Sequence, residues 1–89
     1  MIINNIRLNM KTGFVLIKNK PGKEFWIMSR LENEPEIKEI YPIFGEYDFL
    51  IKIIADDYDS IGKIIFNKIR IIDGVLNTIT LTEAKIPKK

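Results

Sequence analysis

From Thr12 to Lys18 the chain carries the unbroken apolar run Phe14-Val15-Leu16-Ile17, the pattern of a central strand buried on both faces. Asn19-Lys20-Pro21-Gly22 breaks it, and the spacing then turns helical. Over about residues 22–33, Met28 and Leu31 lie three apart and Ile27 and Leu31 four apart, so these three face the core. Pro21 opens this helix, and Glu24 places a carboxylate in its first turn, where the dipole favours it. Asn33-Glu34-Pro35 ends it, because a residue before proline is pushed out of the α region. A second strand over 37–44 contains Pro42, which cannot donate to a ladder and so belongs at a sheet edge. Gly45-Glu46 reads as a two-residue type II′ hairpin loop, with glycine supplying φ > 0. In the third strand, 47–55, the odd positions Phe49, Ile51 and Ile53 are apolar. Its even positions, Asp48, Leu50, Lys52 and Ile54, mix charge with large hydrophobes. A second face that is half apolar predicts a sheet covered on both sides, by the chain's own helices and by a second copy of the chain.

Asp56-Asp57-Tyr58-Asp59-Ser60 follows. Its three aspartates lack the glycine and terminal glutamate spacing of a calcium loop, so Asp57 or Asp59 is read as a helix cap. The helix over about 59–70 puts Ile61, Ile64, Ile65 and Ile69 on one face, with Gly62 allowing close approach to the sheet. Asp73-Gly74 turns into a last strand, 75–84, whose odd positions Val75, Ile79 and Leu81 are apolar apart from Asn77. Its even positions Thr78, Thr80 and Thr82 form a hydroxyl-bearing stripe. The order strand–helix–strand–strand–helix–strand makes two split βαβ halves. Right-handed crossovers place both helices on one face of a four-stranded antiparallel sheet, with strands one and three central. The predicted class is α+β, a ferredoxin-like βαββαβ sandwich. Residues 1–11 read as an N-terminal arm, 12–84 as the domain and 85–89 as a basic tail.

Composition narrows the function more than the fold. Nineteen of 89 residues are isoleucine and 46% are apolar, generous for a small monomer, so spare apolar surface is assigned to an interface. Phe25 and Trp26 broaden the first helix beyond what one sheet needs. Either Phe25 caps the core edge and Trp26 lies flat on the surface, or Trp26 anchors a subunit contact; Leu50 and Ile54 are assigned to the interface as well. Charges are interspersed at a net +2, and the one basic cluster is the tail (Lys85, Lys88, Lys89), so direct nucleic-acid binding is not expected. Histidine and cysteine are absent, which removes the commonest general base, metal ligands and thiol chemistry. No catalytic residue, metal or cofactor is assigned. Without a membrane span or signal-peptide pattern, the expected location is cytoplasmic.

Pro21-Gly22-Lys23, Gly45-Glu46-Tyr47-Asp48, and Ile72-Asp73-Gly74-Val75 leading to Thr78-Ile79-Thr80-Leu81 together resemble the effector-binding (RAM) domain of the Lrp/AsnC transcription regulators. The resemblance covers roughly residues 12–84 in order and spacing. It implies a dimer made by packing two sheets face to face, dimeric α/β barrel-like, with dimers associating into rings, often octamers. It also implies amino acids or related effectors bound at the junction between dimers, and the possibility of co-assembly with full-length regulators. Only eleven residues precede strand one, so the chain is expected to be a stand-alone module without the helix-turn-helix domain. The matched ligand positions are Gly45, Tyr47, Asp48, Thr78 and Thr80. Asp48 can pair with an α-ammonium, backbone near Gly45 can approach a carboxylate, and the threonines can donate. Parity places Asp48 and the threonines opposite the apolar odd positions of their strands.

Without the resemblance, the same residues read as a turn glycine, a packing tyrosine, an edge charge and good strand formers. Two other functions compete: a structural assembly domain without ligand, and a small cofactor-free dimeric monooxygenase of ferredoxin-like fold. The lack of His and Cys weighs against the second.

Overall fold

The computed structural model describes residues 9–84 with 86 and 87, so most of the N-terminal arm and the basic positions Lys85, Lys88 and Lys89 lie outside the described residues. Within that span the chain runs β1 (Lys11–Asn19), α1 (Glu24–Glu32), β2 (Ile37–Pro42), β3 (Phe49–Ala55), α2 (Tyr58–Ile64), a π-helical turn (Ile65–Ile69) and β4 (Val75–Thr82). The sheet order is β2-β3-β1-β4, all antiparallel. Strands one and three are therefore central, and Pro42 lies on an edge strand, as its missing donor requires.

Burial alternates along the central strands. Val15 and Ile17 of β1 and Phe49, Ile51 and Ile53 of β3 face the helices and are buried. They pack with Ile27 and Leu31 of α1 and with Ile61, Ile64, Ile65, Ile69 and Ile72 from α2 onward. Gly13 continues the inward set. A Cβ there would lie 2.9 Å from Ile61 Cγ2, so the close approach of α2 to the sheet occurs over Gly13. Gly62, expected to provide it, faces open space, because α2 turns its isoleucines rather than its glycine to the sheet.

Helix α2 starts on Asp57, whose carboxylate accepts from the Ser60 N–H at 2.7 Å, an N-cap. It then widens: Arg70 N–H donates to Ile65 O, five residues back, at 2.9 Å. The pattern supplies the reason. In a regular α-helix Lys68 would follow Ile61 by seven and Ile64 by four, on the core-facing stripe. The wider turn carries Lys68 off that stripe, and its ammonium reaches Glu36 at 3.1 Å and Glu34 at 3.4 Å.

The predicted two-residue hairpin is not formed. Strand pairing stops at Pro42 and resumes at Phe49, leaving 43–48 as a longer loop closed by Ile43 N–H to Asp48 O (2.9 Å). Asp48 closes this loop beside β1, its own N–H donating to Ile17 O (2.8 Å). Gly45 still holds φ = 121°, a conformation that L side chains rarely adopt.

Candidate functional site

The face of the sheet away from the helices carries no cover among the described residues. Register places Tyr41, Leu50, Leu16 and Ile79 in one row across all four strands, and Glu39, Lys52, Phe14 and Leu81 in the next. Tyr41, Ile79 and Leu81 are exposed, and Leu16, Leu50, Phe14 and Ile54 are shielded only partly. The single ion pair on this face among the described residues, Lys52 to Glu39 at 3.4 Å, lies toward one edge. The face is thus an apolar band that water meets directly. Leu50 and Ile54 belong to it. Trp26 does not: it lies half exposed on α1, on the helix side, under the Arg30 guanidinium at 5.6 Å from the ring centre. No single flat contact can engage all three. Phe25 is almost fully exposed rather than capping the core edge.

The five candidate ligand residues separate into two groups. Gly45, Tyr47 and Asp48 sit in the 43–48 loop, beside β1 on its β3 side. Thr78 and Thr80 pair with Ile17 and Val15 across the other side of β1. The parity argument fails here. The threonines share a face with Val15 and Ile17 and point to the helix layer, while Ile79 and Leu81 point to the bare side. Odd positions therefore face the helices in β3 and away from them in β4, because register, not numbering, decides the face. Two strand spacings of about 4.8 Å separate the two groups at backbone level.

The Asp48 carboxylate is already engaged. Its Oδ2 accepts from the Asn19 backbone N–H at 2.8 Å, where a bulge shifts the β1–β4 register between Lys18 and Asn19. Asn19 is 4% exposed and went unnoticed in the sequence. The signal was there: continuing the inward parity of Val15 and Ile17 puts a polar residue inside. Its Nδ2 donates to Lys20 O (3.0 Å) and Glu24 Oε2 (3.3 Å), two acceptors that fix the amide's orientation. Its Oδ1 is buried and meets no donor among the described residues. Glu24 also accepts from the Gly22 N–H at 3.1 Å, so this carboxylate holds the loop at the start of α1.

The threonines floor a cleft of about 450 Å³ between β4 and the second helical segment. Tyr58, Phe66 and Arg70 form its walls, and none of these was singled out from the sequence. Arg70 lies 5.7 Å from the Phe66 ring centre and pairs with no carboxylate among the described residues. Among the described residues no acid lines the cleft. Its chemistry suits a carboxylate, through guanidinium and hydroxyl donors, with an apolar body against the rings. Among the five candidate residues the one acid is Asp48, in the other group. No group of His, Cys, Asp and Glu able to hold a metal occurs among the described residues. No described helix is long and apolar enough to cross a membrane.

A family model described as the Lrp/AsnC ligand binding domain matches residues 12–89. The chain belongs to the Lrp/AsnC family. An uncharacterized HTH-type transcriptional regulator of Pyrococcus furiosus, PF0250, is 33% identical over 82 residues, covering 88% of this chain and 55% of that protein. The chain thus spans about half the length of the curated relatives it matches. The solved structure of FFRP-DM1 superposes with a TM-score of 0.79 at 34% identity, covering 83% of this chain and 99% of that one. The Neisseria meningitidis regulator NMB0573, solved as an L-Met complex, shares the fold at 16% identity and a TM-score of 0.80, over 97% of this chain and 56% of that one. The ferredoxin-like α+β fold stands on these likenesses, and the matching module is a regulator-type, ligand-binding one.

Proposed function

We propose that this Lrp/AsnC domain is an amino-acid-sensing and oligomerisation module, whose ligand site is completed only when subunits meet. One observation carries the reading: the acid suited to an ammonium and the cleft suited to a carboxylate lie on opposite sides of β1. The two charged groups of an amino acid stand on adjacent bonds, so one ligand cannot span both places within one protomer. Asp48 of one copy and the threonine–arginine cleft of another form a complete set. The bare apolar face supports association, since burying it recovers about 25 cal/mol per Å² of apolar area. In the cell the same surfaces would accept a homologous full-length regulator, which makes effector-dependent control of transcription the biological role proposed.

The test is a thermal-shift panel of the twenty amino acids at millimolar concentration, paired with ultracentrifugation with and without each stabiliser. A ligand that binds only the native assembly stabilises it by RT ln(1 + [L]/Kd). At least one amino acid is expected to raise Tm and shift the subunit distribution together. A flat panel would remove the sensing role and leave an assembly domain. Well-folded monomers at micromolar concentration, with ligand present, would remove both.

A further inference from the structure

The two edges of the sheet are not equivalent. β2, Ile37-Lys38-Glu39-Ile40-Tyr41-Pro42, carries two charges, a proline and a bulge between Ile37 and Glu39, all devices that discourage pairing with another strand. β4, Val75-Leu76-Asn77-Thr78-Ile79-Thr80-Leu81-Thr82, has eight residues, no charge and no proline. Its irregularity lies at the end joined to Asn19, and beyond Asn77 its register on β1 is unbroken to Thr82. Among the described residues nothing pairs with its outer edge. About half its backbone N–H and C=O groups therefore point away from β1, since antiparallel strands alternate the direction of their polar groups residue by residue.

We infer that the outer edge of β4 pairs antiparallel with β4 of a second copy, joining two four-stranded sheets into one, in the register that sets Thr80 opposite Thr80. Side-chain matching selects both partner and register. With Thr80 on the two-fold axis, Thr78 faces Thr82 on the helix side and Ile79 faces Leu81 on the bare side, so like meets like along the ladder. Moving each copy by one residue sets Leu81 against Asn77 in one direction and Ile79 against Glu83 in the other. Half-step registers put Thr80 against Ile79 or Leu81 and send the two helix layers to opposite sides. An isologous pair needs a self-complementary strand, and β4 is one. Pairing also brings the two threonine-floored clefts side by side, walled by α2 and its continuation from each copy. It uses an edge, whereas the association proposed above uses a face, so the two contacts coexist and are tested separately.

The experiment is amide hydrogen exchange by NMR on the full chain across a concentration series, with ultracentrifugation in parallel. Both β4 amide sets are expected to be protected in the assembled protein, and the outward set is expected to lose protection on dilution while the inward set keeps it. Outward amides that exchange freely at every concentration would overturn the inference. Protection unchanged by dilution into monomers would also overturn it, by assigning the edge an occupant from the same chain. Two proline variants, Ile79→Pro and Thr80→Pro, give a second arm, because adjacent residues point their N–H groups in opposite directions. One of them removes a β1 ladder bond. The other removes only an outward donor, keeps native circular dichroism and is expected to lower the assembly by a factor of two in subunit number. An unchanged subunit number in the folded variant counts against edge pairing. Leu50→Asp, which alters only the bare face, is expected to leave the dilution-sensitive β4 protection in place. Loss of protection in that variant would make the edge contact a by-product of face packing and overturn it as an independent interface.

Discussion

Replacing Asp48 by alanine and by asparagine separates its structural work from any part in ligand binding. Oδ2 of Asp48 accepts the Asn19 N–H at 2.8 Å, and Asn19 is buried with that donor turned to the 43–48 loop. Alanine leaves a buried N–H without an acceptor. Hydrogen bonds to charged groups contribute about 1.5–3 kcal/mol, and the deleted partner exposes the full desolvation cost of the one left behind. For a domain of this size each kcal/mol moves Tm by about 4–8 °C, so the midpoint is expected to fall by roughly 6–24 °C. Asparagine keeps an oxygen at the same reach but loses the charge, and neutral hydrogen bonds are about half as strong, so its loss is expected to be near half that of alanine. The assay is urea denaturation and a thermal scan of the three proteins at one fixed concentration, because assembly makes both concentration-dependent. Alanine and asparagine variants equal to each other, or both equal to the parent, would refute the claim that this carboxylate anchors β1. The asparagine variant then serves the ligand question. It retains the hydrogen bond, so if Asp48 also meets an ammonium across a subunit boundary, amino-acid stabilisation disappears in it altogether, while its apo midpoint falls by only about half as much as that of the alanine variant.

Gly62→Ala is expected to stabilise by about 0.5–1 kcal/mol in denaturation, since the position is helical and its Cβ would meet open space. Gly13→Ala is expected to destabilise by about 1–3 kcal/mol, because the new Cβ would press at 2.9 Å on Ile61, itself fixed in the core. Gly74→Ala faces both a positive φ of 100° and a 2.8 Å contact with Lys23, and its denaturation midpoint is expected to drop as well. Acid lowers stability. The Ser60 N–H holds the Asp57 carboxyl below its usual value, the Lys23 ammonium does the same for Asp73, and the backbone N–H of Glu36, then Lys68, for Glu36. Each folded pKa is depressed, so its contribution is present above the ordinary carboxylate range and lost as pH falls through the folded value. A urea midpoint rising from pH 5 to pH 3 would contradict that sign.

The core-facing stripes of α1 and β3, the central place of β1, the edge status that Pro42 imposes on β2, and a helix cap at Asp57 or Asp59 were legible from local patterns, whereas burial of β1 on both faces was not met, since its burial alternates. Each depends on interactions within a few residues, which a linear sequence displays directly. The Gly45-Glu46 turn was misread because the competing interactions, Asp48 with Ile17 and Asn19, come from about thirty positions away. The same holds for the site. The composition announced spare apolar surface, and the motif spacing announced the family. Which candidate residues stand together was beyond it. A strand's period of two says that Thr78 and Thr80 share a face but not which face, and only pairing with Ile17 and Val15 answers that. That register turns the threonines toward α2, sets them across β1 from Asp48, and leaves the whole outer edge of β4 unpaired among the described residues. Sequence fixes local order through short-range sterics and hydrogen bonds. The division of the site depends on where distant strands align, and that is a property of the packed sheet.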